Sequence, residues 1–398
     1  MKIKLPLPPL TSPLPPSQKM NNTRIAWLIP YVELGAYWQP VLAAFAEVFP
    51  KSIFYTGMVW PGFDPQQPGN RIIKLVGEMK SLEITKTDGY SRRVMILSPG
   101  IIGELWRFRP QVVLAQAYSL WTLIAVLMKP IMGWKLIIIY DGSSPNADLE
   151  DSWVRAIARK FMSAAADAFI PNSYGGRDYL IRSLGAKPER VFTHTYLVPD
   201  AQALLQNAAG EPPTLPPQRP RFLYVGRITA RKGINSLIQA CAILKEQGYT
   251  DYSLVVIGSG DQRGELEALI AQQGLTDLVT WVGWVEYGKL GVYFQNADVF
   301  VFPTLEDIWG MVPLEAMVFG TAVLCSRWAG AAELVVEGEN GYIFDPYKPE
   351  ELAGKMQQFL DRPELIKIMG DRAKELIGKT NYQTAADGFI DGINRVIN

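Results

Sequence analysis

The sequence FPTLEDIWGMVPLEAM, residues 302–317, joins the end of an apolar strand-like run to the start of an apolar helix. Two adjacent acids, Glu306 and Asp307, precede Gly310. Pro313 lacks an amide proton and therefore fits the first turn of a helix. The amides at a helix start have no acceptor within the helix, so those just after the glycine can bind a phosphate. This unit predicts a parallel α/β sheet with an anion site at the carboxyl end of one strand.

Two acids of this stretch are spaced eight residues apart, Asp307 before the predicted helix and Glu315 inside it. Glu315 lies among apolar neighbours, where a carboxylate requires polar partners. The two carboxylates can reach two separate sets of sugar hydroxyls. The alternative reading of Asp307 is a helix N-cap without a ligand.

Two further strand-to-helix turns hold glycines and cations. Gly226 and Arg227 follow an apolar run, with Lys232 five residues later. An arginine fork and a lysine point charge can meet at one diphosphate, although a basic surface turn would look the same. Gly258 and Gly260 follow the next run, where a Gly-x-Gly pattern is weak evidence because it also serves a tight turn.

Apolar runs and helical segments alternate along the whole chain of 398 residues, which is typical of parallel α/β domains. The predicted strands are 24–29, 52–55, 71–76, 94–97, 111–115, 135–140 and 168–170, then 221–225, 253–257, 279–282, 299–302 and 322–325. Five prolines in residues 211–220 indicate a stiff linker between the two series. We therefore expect two Rossmann-like doubly wound domains facing across a cleft. The expected division is a disordered Pro-rich leader (1–20), a first domain (21–205), a linker (206–220), a second domain (221–375) and a C-terminal helix packing back on the first domain (376–398).

The charges balance to zero, with 39 Lys+Arg and 39 Asp+Glu, which argues against a nucleic-acid-binding protein. Residues 1–200 carry 22 basic and 15 acidic residues (+7), whereas residues 201–398 carry 17 and 24 (−7). The basic half can make peripheral contact with anionic lipid head groups or a phosphate-bearing acceptor. It can equally be a basic surface without a partner.

The remaining compositional features are structural. Cys241 and Cys325 lie in apolar runs and predict buried free thiols in a reducing compartment. The single histidine, His194, lies in a strand-like run and predicts a structural role. Two cysteines and one histidine are too few for a structural zinc site. Prolines in residues 5–16 forbid a helical signal peptide, and charges interrupt the apolar stretch 120–140. These features predict a cytoplasmic protein, with attachment to the inner membrane face as an option.

The second half contains an ordered set of short motifs: Gly226-Arg227, Lys232-Gly233, Gly258-Ser-Gly260, Val282-Gly283, Ala297-Asp298-Val299, Pro303, the acid pair, Glu315-Ala316-Met317 and Gly320. Taken together, these motifs resemble glycosyltransferase family 4. These are the "group 1" glycosyltransferases, retaining enzymes that use nucleotide sugars and have the GT-B fold. The resemblance covers residues 221–345. It is weaker over residues 21–200, where it rests on Gly35, Asn172-Ser173 and Asp200.

The resemblance implies roles for the site residues. Arg227 and Lys232 would neutralise the donor diphosphate, and Glu315 would hold the ribose hydroxyls. The first acid of the family's E-x7-E pattern would hold the transferred sugar. That acid is Asp307 here, with Glu306 as the alternative after a local shift. The other implied donor contacts are Gly35, Gly226, Gly258, Gly260, Val285, Gly310, Met311 and Val312.

One position departs from the family pattern. Many members place a histidine near the donor sugar after the fifth strand, and Tyr140 takes that place here, followed by Asp141. A second frequent histidine position holds Gln116 or Tyr118. The candidate sugar or acceptor contacts are therefore Tyr140, Asp141, Tyr118 and Trp38. Other aromatic residues with this option, or with ordinary core packing as the alternative, are Tyr31, Tyr37, Trp60, Phe63 and Trp121.

The implied activity is transfer of a hexose from a nucleotide diphosphate sugar to a saccharide or lipid-linked acceptor, with retention and without a metal or other cofactor. The chain has no Asp-x-Asp sequence, which agrees with transfer without a metal. Two alternatives stay open. One is another enzyme on the same fold, such as a nucleotide-sugar epimerase or sugar phosphorylase. The other is a subunit that binds a nucleotide sugar without turnover.

Overall fold

The computed structural model describes residues 22–30, 35–60, 63–66, 70–87, 90–144, 152–208 and 214–397. The predicted leader (1–20), Tyr31 and residues 209–213 of the predicted linker lie outside the described residues.

The first half of the chain builds a parallel six-stranded sheet in the order β3-β2-β1-β6-β7-β8. Its strands are β1 Ile25–Leu28, β2 Ser52–Thr56, β3 Ile73–Leu75, β6 Val112–Gln116, β7 Lys135–Tyr140 and β8 Ala168–Pro171. The helices around it are α1 Gly35–Val48, α2 Ile101–Phe108, α3 Leu120–Met132, α4 Trp153–Ala165, α5 Tyr174–Arg182 and α6 Ala201–Asn207. Apolar runs such as Ile25–Leu28 are fully buried because helices cover both faces of the sheet.

The second half repeats this plan, with strand order β11-β10-β9-β12-β13-β14. Its strands are β9 Arg221–Val225, β10 Ser253–Ile257, β11 Val279–Gly283, β12 Val299–Phe302, β13 Ala322–Ser326 and β14 Gly341–Phe344. The helices are α7 Ile234–Glu246, α8 Arg263–Gln272, α9 Leu290–Gln295, α10 Met311–Val318, α11 Pro349–Asp361, α12 Glu364–Gly378 and α13 Tyr382–Ile397. In each sheet the strand order reverses beside the first strand, β1 or β9. Ligands bind at this switch point in such folds.

One predicted strand lies elsewhere. The expected strand 94–97 belongs to an antiparallel hairpin of β4 (Lys80–Thr87) and β5 (Tyr90–Ile96), apart from the six-stranded sheet. Only residues 88–89 separate β4 from β5. So short a connection joins antiparallel neighbours, whereas parallel strands need a long crossover.

The last helix returns to the first sheet. Phe389 of α13 packs edge-on against Trp27 of β1 and stacks on Trp38 of α1, with ring centroids 4.7 and 6.1 Å apart. One core cluster is continuous through both halves, from β1 to α10. The two halves of the chain therefore share one core, to which helices and strands of both contribute. Among the described residues, no helix combines the length and the apolarity that a bilayer span requires.

Candidate functional site

The loops after β9 and β10 touch at the carboxyl edge of the second sheet. Gly258 has a φ of +137°, and a Cβ there would lie 1.8 Å from the carbonyl oxygen of Gly226. A Cβ at Gly260 would lie 2.0 Å from the carbonyl oxygen of Ile228. Both glycines are required because the two loops approach each other backbone to backbone. This contact fixes Gly226 and Arg227 at the mouth of the cleft.

The pair of Lys232 and Asp307 joins the two predicted charged turns. The Lys232 Nζ donates a hydrogen bond of 2.5 Å to Asp307 Oδ2, and it lies 5.3 Å from the centre of the Phe302 ring. Burial lowers the pKa of Lys232, and the Asp307 carboxylate opposes that shift. Arg231 adds a second cation 4.0 Å from the same carboxylate oxygen.

The neighbouring acid, Glu306, is anchored differently. It is buried, and its carbonyl oxygen accepts hydrogen bonds from Thr304 Oγ1 and from the Arg231 guanidinium. The carboxylate that faces Lys232 is therefore that of Asp307. Arg227 is exposed, and its carbonyl oxygen accepts a hydrogen bond from the Tyr224 hydroxyl. Within the described ranges, no ion pair of the Arg227 guanidinium is found.

Glu315 lies in the second turn of α10 and is 1% exposed. Its Oε1 accepts hydrogen bonds from the hydroxyls of Tyr37, which belongs to α1, and Tyr287, at 3.0 Å for the latter. Burial raises the pKa of Glu315, and the two hydroxyl donors lower it in part. A cavity of about 60 Å³ adjoins this group and is lined by Tyr37, Tyr287, Asp200, Asn207 and Gly288.

The start of α10 has no side-chain cap. Its N-cap, Gly310, has a φ of +95° and contributes no side chain, so Met311 and Val312 begin the helix without a side-chain cap. Trp309, just before it, donates from Nε1 to the carbonyl oxygen of Leu197 across the cleft. Val285, after β11, is partly buried against the same core cluster.

On the opposite side of the cleft, Asp141 follows β7. It accepts hydrogen bonds from Gln116 Nε2 (2.8 Å) and the Tyr196 hydroxyl (2.7 Å). Burial raises the pKa of Asp141, and both donors oppose the shift. The next residue, Gly142, packs against the backbone of Ile308, so a Cβ there would lie 2.5 Å from the Ile308 carbonyl oxygen.

Several aromatic candidates lie in the core instead. Trp38 is 4% exposed, and its ring contacts Trp27, Tyr196 and Phe389, which leaves no face for a sugar. Trp121 is fully buried.

The two tyrosine candidates are also packed. Tyr140 is 4% exposed and stacks on Tyr179. Tyr118 bonds to Ser163 and lies under the Arg159 guanidinium. Tyr140 is therefore a core residue, and Tyr118 is partly buried against the same part of the first half. Gly35 begins α1, two residues before Tyr37.

Two cleft residues were not identified from the sequence. Tyr287 had no signal beyond its position after β11. Glu333 accepts hydrogen bonds from the amides of Tyr174 (2.8 Å) and Gly175 (2.9 Å) at the start of α5. The resemblance singled out Asn172-Ser173 just before this helix, but nothing in the sequence links residue 333 to it, so the carboxylate partner could not be predicted.

Residues 208–376 match the family described as "Glycosyl transferases group 1". This part of the chain is similar to a group 1 glycosyltransferase domain. It includes Arg227, Lys232, Asp307 and Glu315, and it ends within α12.

Curated relatives of the chain include two named bacterial transferases. The chain is 33% identical over 179 residues to alpha-D-kanosaminyltransferase of Streptomyces kanamyceticus, covering 45% of this chain and 46% of that protein. It is 30% identical over 244 residues to D-inositol 3-phosphate glycosyltransferase 2 of Catenulispora acidiphila, covering 58% and 57%. The chain thus aligns with about half the length of these relatives.

Solved structures extend the likeness beyond residues 208–376 to nearly the whole chain. HepE from Anabaena, in complex with UDP, superposes with a TM-score of 0.72 at 15% identity, covering 94% of this chain and all of that one. The expected fold is confirmed: two parallel α/β sheets face each other across a cleft, as in GT-B glycosyltransferases.

Proposed function

We propose that the protein is a retaining glycosyltransferase that moves a hexose from a nucleotide diphosphate sugar to a saccharide or lipid-linked acceptor, without a metal ion. The proposal rests on one observation above all. Lys232, Asp307, Glu315 and the uncapped start of α10 converge at the carboxyl edge of the second sheet, where it faces the first. The similarity of residues 208–376 to group 1 glycosyltransferases supports the same assignment.

The chemistry requires a stabilised leaving group. When the bond between the anomeric carbon and the phosphate oxygen breaks, the sugar becomes positive and the diphosphate gains negative charge. Fixed cations and helix amides stabilise that charge without rearranging. Arg227, Lys232 and the amides of Met311 and Val312 would supply this stabilisation.

Retention would follow from attack on the face that the diphosphate leaves. The acceptor hydroxyl oxygen forms the new bond to the anomeric carbon, and its proton passes to the departing phosphate oxygen. No side-chain base is needed for this step. Asp307 would hold hydroxyls of the transferred sugar beside Lys232.

Glu315 would hold the ribose. Its carboxylate is enclosed and accepts hydrogen bonds from the Tyr37 and Tyr287 hydroxyls. Ribose hydroxyls are donors of the same kind and would replace one or both tyrosine bonds. HepE was solved with UDP, so UDP and UDP-sugars are the first donors to test.

The experiment is an incubation of the purified chain with single nucleotide sugars and a panel of saccharide and lipid-linked acceptors. Product analysis distinguishes a glycoside from a rearranged sugar, a sugar phosphate or no turnover. Arg227→Ala, Lys232→Ala and Glu315→Ala should each reduce transfer, whereas Arg362→Ala at the other end of the second sheet should not. Full activity of all three site variants would refute the assigned roles, and an inverted anomer would refute retention.

A further inference from the structure

Helix α4 turns its apolar side outward. The side chains of Trp153, Ile157 and Phe161 are 74%, 59% and 51% exposed, and their i, i+4, i+8 spacing places them in one stripe. Only Met162 and Ser163 of this helix are buried. A surface helix of a globular protein ordinarily faces the core with such a stripe. Packing against the core of the first half therefore does not explain the apolar stripe of α4.

The helices beside α4 extend the same surface. Inward residues of α2, α3 and α4 belong to one core cluster on one face of the first sheet. Their outward sides expose Trp106 (52%), Leu127 (59%) and Ile131 (75%). We call Trp106, Leu127, Ile131, Trp153, Ile157 and Phe161 the α2–α4 face. Contiguous exposed apolar patches mark interaction sites.

The charges that α3 and α4 bring to this face have one sign, and the acid of α2, Glu104, is paired with Lys74 and Arg107. Helices α3 and α4 contain no acidic residue, whereas α4 carries Arg155, Arg159 and Lys160. Lys160 and Arg155 are exposed next to the apolar stripe. Aromatic and aliphatic residues flanked by Lys and Arg are the composition of helices that lie in the plane of a bilayer surface.

We propose that the α2–α4 face docks the protein on a lipid bilayer that contains anionic lipids. A second copy of the chain fits less well, because a two-fold contact would bring the Arg155 and Lys160 side chains of both copies together. The lipid head groups are instead complementary to these cations. The proposal does not depend on transferase activity.

The position of α4 links this docking to the proposed reaction. The helix follows β7, so Trp153 lies at the carboxyl edge of the first sheet, on the cleft side, and Phe161 lies farther away. A bilayer on this face would therefore reach the rim of the cleft. If the proposed transfer is correct, a lipid-linked acceptor is the class that this arrangement favours.

The test measures co-sedimentation of the full chain with vesicles, in the absence of donor and acceptor. One set of vesicles is phosphatidylcholine, and the other also contains phosphatidylglycerol. We expect binding to the anionic vesicles that weakens as salt rises. Ile157→Glu should reduce the partition constant by about tenfold or more, the factor that corresponds to burial of one Ile side chain.

Matched variants in the second half serve as controls. Ile368→Glu changes an isoleucine of nearly equal exposure (58%) and should bind like the wild type. Lys160→Gln should weaken binding to anionic vesicles only, whereas Lys374→Gln should not. Binding that Ile157→Glu leaves unchanged, or no binding to either vesicle, would overturn the proposal. A wild-type dimer that Ile157→Glu dissociates would do so as well. If the wild-type chain binds the vesicles but shows no transfer activity, that result would count against the proposed function alone.

Discussion

The Tyr37 hydroxyl of α1 donates a hydrogen bond to Oε1 of Glu315 in α10, the acid proposed to hold the ribose. This bond joins the two halves of the chain across the cleft. The Tyr287 hydroxyl donates to the same oxygen. Glu315 is therefore a buried carboxylate whose solvation comes from two tyrosines, one on each side of the cleft. Because burial raises its pKa, each of these donors is important to the charged form.

We expect Tyr37→Phe to lower the free energy of unfolding by about 1–3 kcal/mol, the cost of removing one partner of a buried charged acceptor. The same change should leave UDP affinity equal or higher, since it frees Glu315 for the ribose. Urea unfolding and isothermal titration calorimetry measure the two quantities.

Tyr347→Phe is the control for this change, since that side chain is 64% exposed and its loss should alter neither quantity. A large fall in UDP affinity for Tyr37→Phe would mean that Tyr37 itself contacts the donor.

Asp307 and Glu306 can be separated by amide variants. Asp307→Asn should reduce transfer by about ten- to a hundredfold, as expected for loss of a charge-assisted hydrogen bond. Glu306→Gln should have a smaller effect, because its backbone carbonyl makes the hydrogen bonds to Thr304 and Arg231. Steady-state kinetics with a saturating acceptor measures both. The reverse order of effects would assign the first acidic position to Glu306.

Gly258→Ala should destabilise the protein by about 2–4 kcal/mol, because it combines an unfavourable φ with a clash against the Gly226 carbonyl. UDP affinity should fall with it, since the two loops position Arg227. Gly264→Ala is the control, because a Cβ there meets nothing within 4 Å and α8 would gain a better helix former. Thermal unfolding with and without UDP checks both variants, and equal stability of the two would contradict the close approach.

Most strands of both sheets were predictable because each is a short apolar run buried on both sides. Four strands have the predicted bounds: Lys135–Tyr140, Arg221–Val225, Ser253–Ile257 and Val299–Phe302. Gly341–Phe344 was missed because it begins with glycine and its two middle residues are only partly buried.

The site was predictable only as far as local sequence determines it. The turns that contain Lys232 and Asp307 could be placed at one sheet edge because both follow parallel strands. The partners of Glu315 could not, since Tyr37 lies 278 residues away and nothing near it in the sequence distinguishes it from Trp38. Trp38 faces the core and Tyr37 faces the cleft because they are adjacent on a helix and point in different directions.

His194 gives the last prediction, since it is the only histidine of the chain. Its Nε2 lies 2.6 Å from the Thr384 carbonyl oxygen, which only accepts, so Nε2 carries the proton of the neutral ring. Burial lowers the pKa of His194 from its usual 6.5, although the Thr384 carbonyl and the carboxylates of Asp387 and Asp391 oppose the shift.

The unfolded chain therefore binds a proton at His194 at a higher pH than the native protein does. Stability from His194 is complete above about pH 6.5 and is lost as pH falls toward the native pKa, with a slope of up to about 1.4 kcal/mol per pH unit. His194→Gln should flatten this part of the stability curve, which urea unfolding at a series of pH values measures. The buried acids Glu315 and Asp141 have raised pKa values and act in the opposite direction, but they are common to both proteins and cancel in the difference. NMR titration of the single imidazole gives the native pKa directly, and a midpoint at or above 6.5 would contradict the buried, neutral ring.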